Sequence, residues 1–166
     1  MKRCFLVLGP ESSGTRFVTR TLIDGGCHGT DEHEQPLDQT FDGAGDLIVW
    51  RRSLPHAGDW PDLNELADRL QLLGYEARVI VIVRDHYSAV RSQVSQIHAA
   101  TTEEAERRIP EALRRIFEFI TRRELPARLF TYEGLVHQPE AFQLAMQEWG
   151  MEVNPKPFDA NRKYIA

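Results

Sequence analysis

Cysteine is scarce in this chain, with only Cys4 and Cys27 in 166 residues. Two thiols cannot build a disulfide framework, so the sequence reads as that of a protein kept in a reducing cytoplasm. Long apolar runs are also missing, and none approaches the ~20 residues that span a bilayer. Lys2 and Arg3 precede an apolar stretch, but it runs only over residues 4–8 before Gly9. That is short of the ~7–15 residues of a secretory signal core. The expectation is an intact, soluble, intracellular protein with no membrane attachment. Excess positive charge is absent too. Lys and Arg number 20 against 25 Asp and Glu, and the net charge of −5 has the wrong sign for wrapping nucleic acid. There is no internal repeat and no low-complexity stretch. Hydrophobic residues make up 42% of the chain, which excludes wholesale disorder. The length suits one domain spanning residues 1–166, and folding should bury roughly 70% of the extended surface.

Short apolar runs alternate with amphipathic stretches. Residues 4–8 (CFLVL), 46–50 (DLIVW), 77–83 (ARVIVIV) and 127–132 read as strands, the first buried on both faces and the third the strongest. Residues 27–45 read as polar loop with one short strand. Helices are expected over residues 14–24, from Pro61 in a first turn to Gly74, over 86–98, 101–123, and from Pro139 to Gly150. In the 86–98 helix, Ala89, Val90, Val94 and Ile97 should face inward. Thr101 and Glu104 resemble a capping box. Pro110 should kink or split the helix that follows, whose core face is Ala112, Leu113, Ile116, Phe117 and Ile120. The pattern predicts a three-layer α/β domain of P-loop type, with a mainly parallel sheet of about four to five strands flanked by helices.

The run Gly9-Pro10-Glu11-Ser12-Ser13-Gly14-Thr15-Arg16 joins the first strand to the first helix. A glycine-rich loop there gathers backbone N–H groups at the positive end of a helix dipole, which suits a phosphate. Ser13, Gly14 and Thr15 are expected to present those groups. Gly9 and Gly14 have P-loop spacing, but Thr15 stands where that motif has lysine. The plainer reading is a tight turn before a capped helix. After the third strand, Arg84 and Ser92 lie eight residues apart. On their own they read as a sheet-end arginine and a serine on a wet helix face.

These segments resemble the sulfotransferases that use phosphoadenosine phosphosulfate (PAPS). Pro10, Ser13, Gly14 and Thr15 match the loop that binds the 5′-phosphosulfate in that family, with one extra residue after Pro10. Val83-Arg84-Asp85-His86-Tyr87-Ser88-Ala89-Val90-Arg91-Ser92 resembles the family's 3′-phosphate motif, which implies that Arg84, with its bidentate fork, and Ser92, with its hydroxyl, hold that phosphate. His86 replaces its proline and Ser88 its acid. A third tract, Phe130-Thr131-Tyr132-Glu133-Gly134-Leu135-Val136 through Pro139 to Trp149-Gly150-Met151, is similar to a largely structural segment of the family, and Tyr132 reads as a core or a nucleotide-side tyrosine. The resemblance implies PAPS as co-substrate, its desulfated product (PAP), no metal, and contacts from Ser12, Ser13, Gly14, Thr15, Arg16, Arg84 and Ser92. The family's basic residue before Ser-Gly-Thr is Ser12 here, so Arg16, Arg51 or Arg52 is expected to supply that charge.

Sulfuryl transfer also needs a base for the acceptor's proton. The run Trp50-Arg51-Arg52-Ser53-Leu54-Pro55-His56 is similar to the family's catalytic strand end. Arg51 falls on its lysine and Ser53 on its histidine, while His56 follows three residues later. His56 is the first candidate base, and Glu34 and His33 are the reserves. Cys27, His28, Asp31, Glu32, His33 and Glu34 fit no paired-ligand metal spacing. Arg107, Arg108, Arg114, Arg115, Arg122 and Arg123 form one helical ridge. It is either a solvated face balanced by glutamates or a docking stripe for an anionic acceptor. Three functions remain open: a sulfotransferase acting on a small-molecule or glycan hydroxyl, alone or as a homo-oligomer; a P-loop small-molecule kinase; and a catalytically silent nucleotide-binding module.

Overall fold

The structure is a computed structural model describing residues 2–32, 45–56 and 58–164. Four strands, β1 (Lys2–Pro10), β2 (Leu47–Leu54), β3 (Tyr75–Val83) and β4 (Ala127–Thr131), form one sheet in the order β2-β1-β3-β4. All three pairings are parallel. The central β1 is buried from Cys4 to Pro10, as its unbroken apolar run requires.

Helices cover both faces. Alternation along β1 sends Cys4, Leu6 and Leu8 toward α2 (Leu63–Leu72) and α4 (Thr102–Arg123). It sends Phe5 and Val7 toward α1 (Thr15–Asp24), α5 (Tyr132–His137) and α6 (Pro139–Glu148). The short α3 (His86–Ser95) packs on α4 through Ala89, Val90, Ala105 and Ile109. A 3₁₀ turn, Ala160–Lys163, ends the described chain. Cys4 and Cys27 are free and buried, and burial pushes the Cys27 thiol up to about 12. No helix among the described residues is long and apolar enough to cross a membrane.

The connections explain where a crevice opens. From β1 the chain passes through α1 to β2 on one side, and from β3 it moves to β4 on the other. The loops after β1 and β3 therefore diverge at the carboxyl ends of adjacent strands, which is the ligand position of open α/β sheets.

Several local expectations are corrected. β2 continues to Leu54, because Arg51, Arg52 and Ser53 stay in register with Val7, Leu8 and Gly9 of β1. Pro61 lies before α2, whose N-cap is Asp62, accepting from Asn64 and Glu65 N–H. Pro110 sits inside an unbroken 22-residue α4. It is exposed, so water can take the carbonyl it leaves free. Phe119 rather than Phe117 faces the core, and Phe117 is exposed. Tyr132 opens α5 instead of closing β4.

Helix α3 stops at Ser95, short of residue 98. Gln93 C=O accepts from both His98 N–H (2.9 Å) and Ala99 N–H (3.3 Å), which turns the chain. The turn holds Ile97 at φ 61°, in the left-handed region, with its side chain exposed rather than inward. A β-branched residue there costs about 1–2 kcal/mol. Ile97→Gly should therefore raise stability by ~1 kcal/mol in denaturant titration. An unchanged or lower midpoint would contradict this geometry.

Candidate active site

The crevice is a cavity of about 710 Å³ at the carboxyl end of the sheet. Of the sequence-predicted residues, it brings together Ser12, Gly14, Thr15, Arg16, Arg51, His56, Arg84 and Ser92. Arg52 does not line it. Strand alternation sends Trp50 and Leu54 to the α2–α4 face, and Arg52 shares their side while Arg51 and Ser53 take the other. His33 and Glu34 lie outside the described residues.

The loop after β1 is shaped by close approach. A Cβ at Gly9 would lie 2.4 Å from Ser13 Oγ and 2.5 Å from the Ile82 carbonyl. Gly14 has φ +101°, and a Cβ there would meet the Tyr132 ring at 2.5 Å. Gly14 is also the N-cap of α1, and no side chain caps it. By contrast Asp62, Asp85 and Thr101 cap α2, α3 and α4. The first N–H groups of α1 thus remain directed to the loop concavity. Ser13 departs from expectation, because its N–H donates to Pro10 C=O at 3.1 Å. What it offers is its hydroxyl, buried with no hydrogen-bond partner among the described residues. Ser12 Oγ is in the same state. Thr15 Oγ1 lies 3.3 Å from Ser53 Oγ, on the neighbouring strand.

Arg84 ties the two loops together. Its Nη1 donates to Ser12 C=O at 3.0 Å and its Nε to Asn161 Oδ1 at 2.6 Å. Its guanidinium lies 5.0 Å from the Tyr132 ring centroid and 5.5 Å from that of Tyr164. Nη2 is buried without a hydrogen-bond partner among the described residues. Asn161 is fixed in turn by Glu133, which accepts from its Nδ2 at 2.6 Å and from Asp85 N–H at 3.0 Å.

Ser92 is 1% exposed and lies two turns into α3. The chain turns at Asp85, whose carboxylate caps α3, so Arg84 and Ser92 both reach the crevice. Hydrogen bonding to Ser92 and then Ser95, with the Arg84 charge nearby, lowers the pKa of the Tyr164 phenol. The patch between Ser92 and Arg84 therefore favours a negatively charged oxygen. The unpartnered Ser12, Ser13 and Arg84 donors beside the Gly14 turn fit an anionic group such as a phosphate.

His56 is held by a backbone pair with Asp59, at 2.8 and 2.9 Å. Its side chain is half exposed in the crevice wall. Sequence reasoning missed Glu11, Gln96 and His98, which also line the cavity, and Asn161 and Tyr164. Glu11 stood in the loop motif, but an acid there gave no phosphate signal. The others come from segments whose proximity only the fold creates. Among the described residues no group of three or more His, Cys, Asp or Glu side chains is placed to hold a metal.

The arginine ridge is mostly paired within the molecule. Arg108 meets Glu104 (2.6 Å), Arg114 and Arg115 meet Glu111 (2.8 and 2.7 Å), and Arg123 meets Asp68 (2.6 Å). Arg114 and Arg115 together hold the Glu111 carboxyl down to about 2. Arg115 also covers Trp60 at 4.2 Å. These contacts suit the solvated-face reading.

Ser13→Ala removes a buried, unpartnered hydroxyl. Native stability should change by less than about 0.5 kcal/mol or rise. Affinity for a 5′-phosphorylated nucleotide should fall ~10-fold or more. Thermal denaturation and calorimetry check the pair of outcomes.

No family model matches the chain, and no curated protein matches it. Among solved structures, the sulfotransferase domain from the curacin biosynthetic pathway is similar over 97% of this chain and 76% of its own length. The TM-score is 0.64 and the sequence identity 14%. A likeness at that identity speaks for architecture: this chain shares the all-parallel, helix-flanked α/β fold of a sulfotransferase domain.

Proposed function

We propose that this protein transfers a sulfuryl group from PAPS to a hydroxyl of a small-molecule or glycan acceptor. The observation that carries the reading is that one crevice is lined both by the lysine-free loop, at Ser12, Gly14 and Thr15, and by Arg84 and Ser92. We assign the loop to one anionic end of the donor and the Arg84–Ser92 patch to the other. A nucleoside triphosphate has its phosphates in one chain and gives the second site nothing to do.

When bound, the donor supplies an activated sulfuryl group on a good leaving phosphate. The residues of this chain do the rest. The α1 N-terminus and the Ser13 hydroxyl hold the 5′ end, and Arg84 with Ser92 holds the 3′-phosphate. Arg51 and Arg16, both lining the crevice, are assigned to oppose charge on the departing phosphate. That assigns them the role of the basic residue replaced by Ser12. His56 takes the proton from the acceptor hydroxyl as its oxygen bonds to sulfur and the bond from sulfur to the bridging phosphate oxygen breaks. Arg16, Arg20, Asp31 and Glu32 make a polar outer wall suited to a hydroxyl-rich acceptor. The reading includes a cytoplasmic setting and does not require a metal. A homo-oligomer would give the acceptor a second wall.

Calorimetry with PAP beside ATP tests this against the kinase reading. Tight PAP binding with weak ATP binding is expected. Preference for ATP would overturn it. Sulfate transfer to a panel of hydroxylated acceptors would exclude the silent module.

A further inference from the structure

Glu11 is an acid inside a loop that otherwise gathers donors for an anion, and its side chain is 2% exposed. Its Oε1 lies 3.9 Å from His56 Nδ1 and 3.7 Å from His98 Nδ1. These are ion-pair distances, and both histidines line the crevice. The same residue is stapled at its backbone to the two elements that carry them. Glu11 N–H donates to Leu54 C=O, at the end of the strand that leads to His56 (3.3 Å). Glu11 C=O accepts from Gln93 Nε2 (2.9 Å), and Gln93 is fully buried. Gln93 C=O in turn accepts His98 N–H at the turn forced through the left-handed Ile97. Main-chain strain kept beside a crevice is a common mark of a positioned side chain.

We infer that Glu11 is a positioning residue that holds His56 and His98 with Nδ1 turned toward its carboxylate, so that each ring presents Nε2 to the crevice. An imidazole in that pose carries its proton on Nδ1 and keeps Nε2 bare to accept one. The kinetic consequence rests on the sulfuryl-transfer reading. His56 Nε2 receives the acceptor's proton as the new oxygen–sulfur bond forms and the bond to the phosphate breaks, and Glu11 then faces the imidazolium. The buried carboxylate stabilises that cation without moving. At 3.9 and 3.7 Å the contacts are ion-pair rather than hydrogen-bond distances, and the carboxylate's charge favours the proton on the nitrogen that faces it.

The test is nitrogen-15 NMR of the histidine side chains, at a pH where the rings are neutral, in the wild type and in Glu11→Gln. His56 and His98 should populate mainly the Nδ1–H tautomer, the minor form of free histidine, and should revert toward Nε2–H in the variant. This readout needs neither donor nor acceptor, so it stands or falls separately from the proposed reaction. A wild type already in the Nε2–H form, or tautomers unmoved by Glu11→Gln, would overturn the inference. In turnover assays Glu11→Gln should lower kcat by ~10–10³-fold with nucleotide affinity kept, and Glu11→Asp should restore part of it. Unchanged kcat, or equal losses of kcat and nucleotide affinity, would assign Glu11 a merely structural role.

Discussion

His56→Ala should lower the turnover number by ~10²–10⁴-fold while leaving nucleotide affinity nearly unchanged. The residue projects from the β2–α2 connection into the crevice, beside Glu11 of the loop after β1. Its backbone pairing with Asp59 does not depend on the side chain, so the variant should fold. Exposure of about half the side chain means little packing is lost on truncation. Steady-state rates and PAP calorimetry on one preparation separate the terms. Unchanged turnover would move the base to His98, the other histidine beside Glu11, or to the reserve candidates His33 and Glu34. Parallel losses in rate and affinity would instead mark His56 as structural.

Arg84→Ala should erase discrimination for the 3′-phosphate. Its loss should weaken PAP by ~10–100-fold, the range for one or two charge-assisted bonds in a partly desolvated site. The guanidinium also holds Ser12 C=O and Asn161 Oδ1, so the loop after β1 will loosen as well. The decisive quantity is therefore the ratio of affinities for PAP and adenosine 5′-phosphate. Loop loosening lowers both affinities, whereas loss of a 3′-phosphate contact lowers one. The ratio should fall from ten or more in the wild type to near one in the variant. A ratio that survives the substitution would place the 3′-phosphate elsewhere.

The strands and the loop after β1 were legible because burial on two faces writes continuous apolar runs, and Gly9 and Gly14 answer a steric need. Arg84 and Ser92 were legible through the motif they resemble. The end of β2 was not, because Arg51, Arg52 and Ser53 look like loop. They pair with β1 through backbone groups that no side-chain pattern reports. The end of α3 was hidden for a related reason: Ile97 continues the apolar period, yet its backbone is left-handed and its side chain is outside. The Glu11–Gln93 link and the Asn161 and Tyr164 contacts join residues up to 82 positions apart. Such proximity is set by strand order, and no local motif encodes it. Pro110 shows the converse error, since an exposed helix face tolerates a residue that a buried one would reject.

The most direct test is a crystal structure of the protein with PAP. The 5′-phosphate should lie against the N–H groups of Gly14 and Thr15 and the Ser13 hydroxyl, and the 3′-phosphate should sit between Arg84 and Ser92, displacing the Tyr164 phenol. A nucleotide bound outside the crevice, or one whose 3′-phosphate points to solvent with Arg84 still turned to Asn161 and Ser12 alone, would contradict the sulfuryl-transfer assignment.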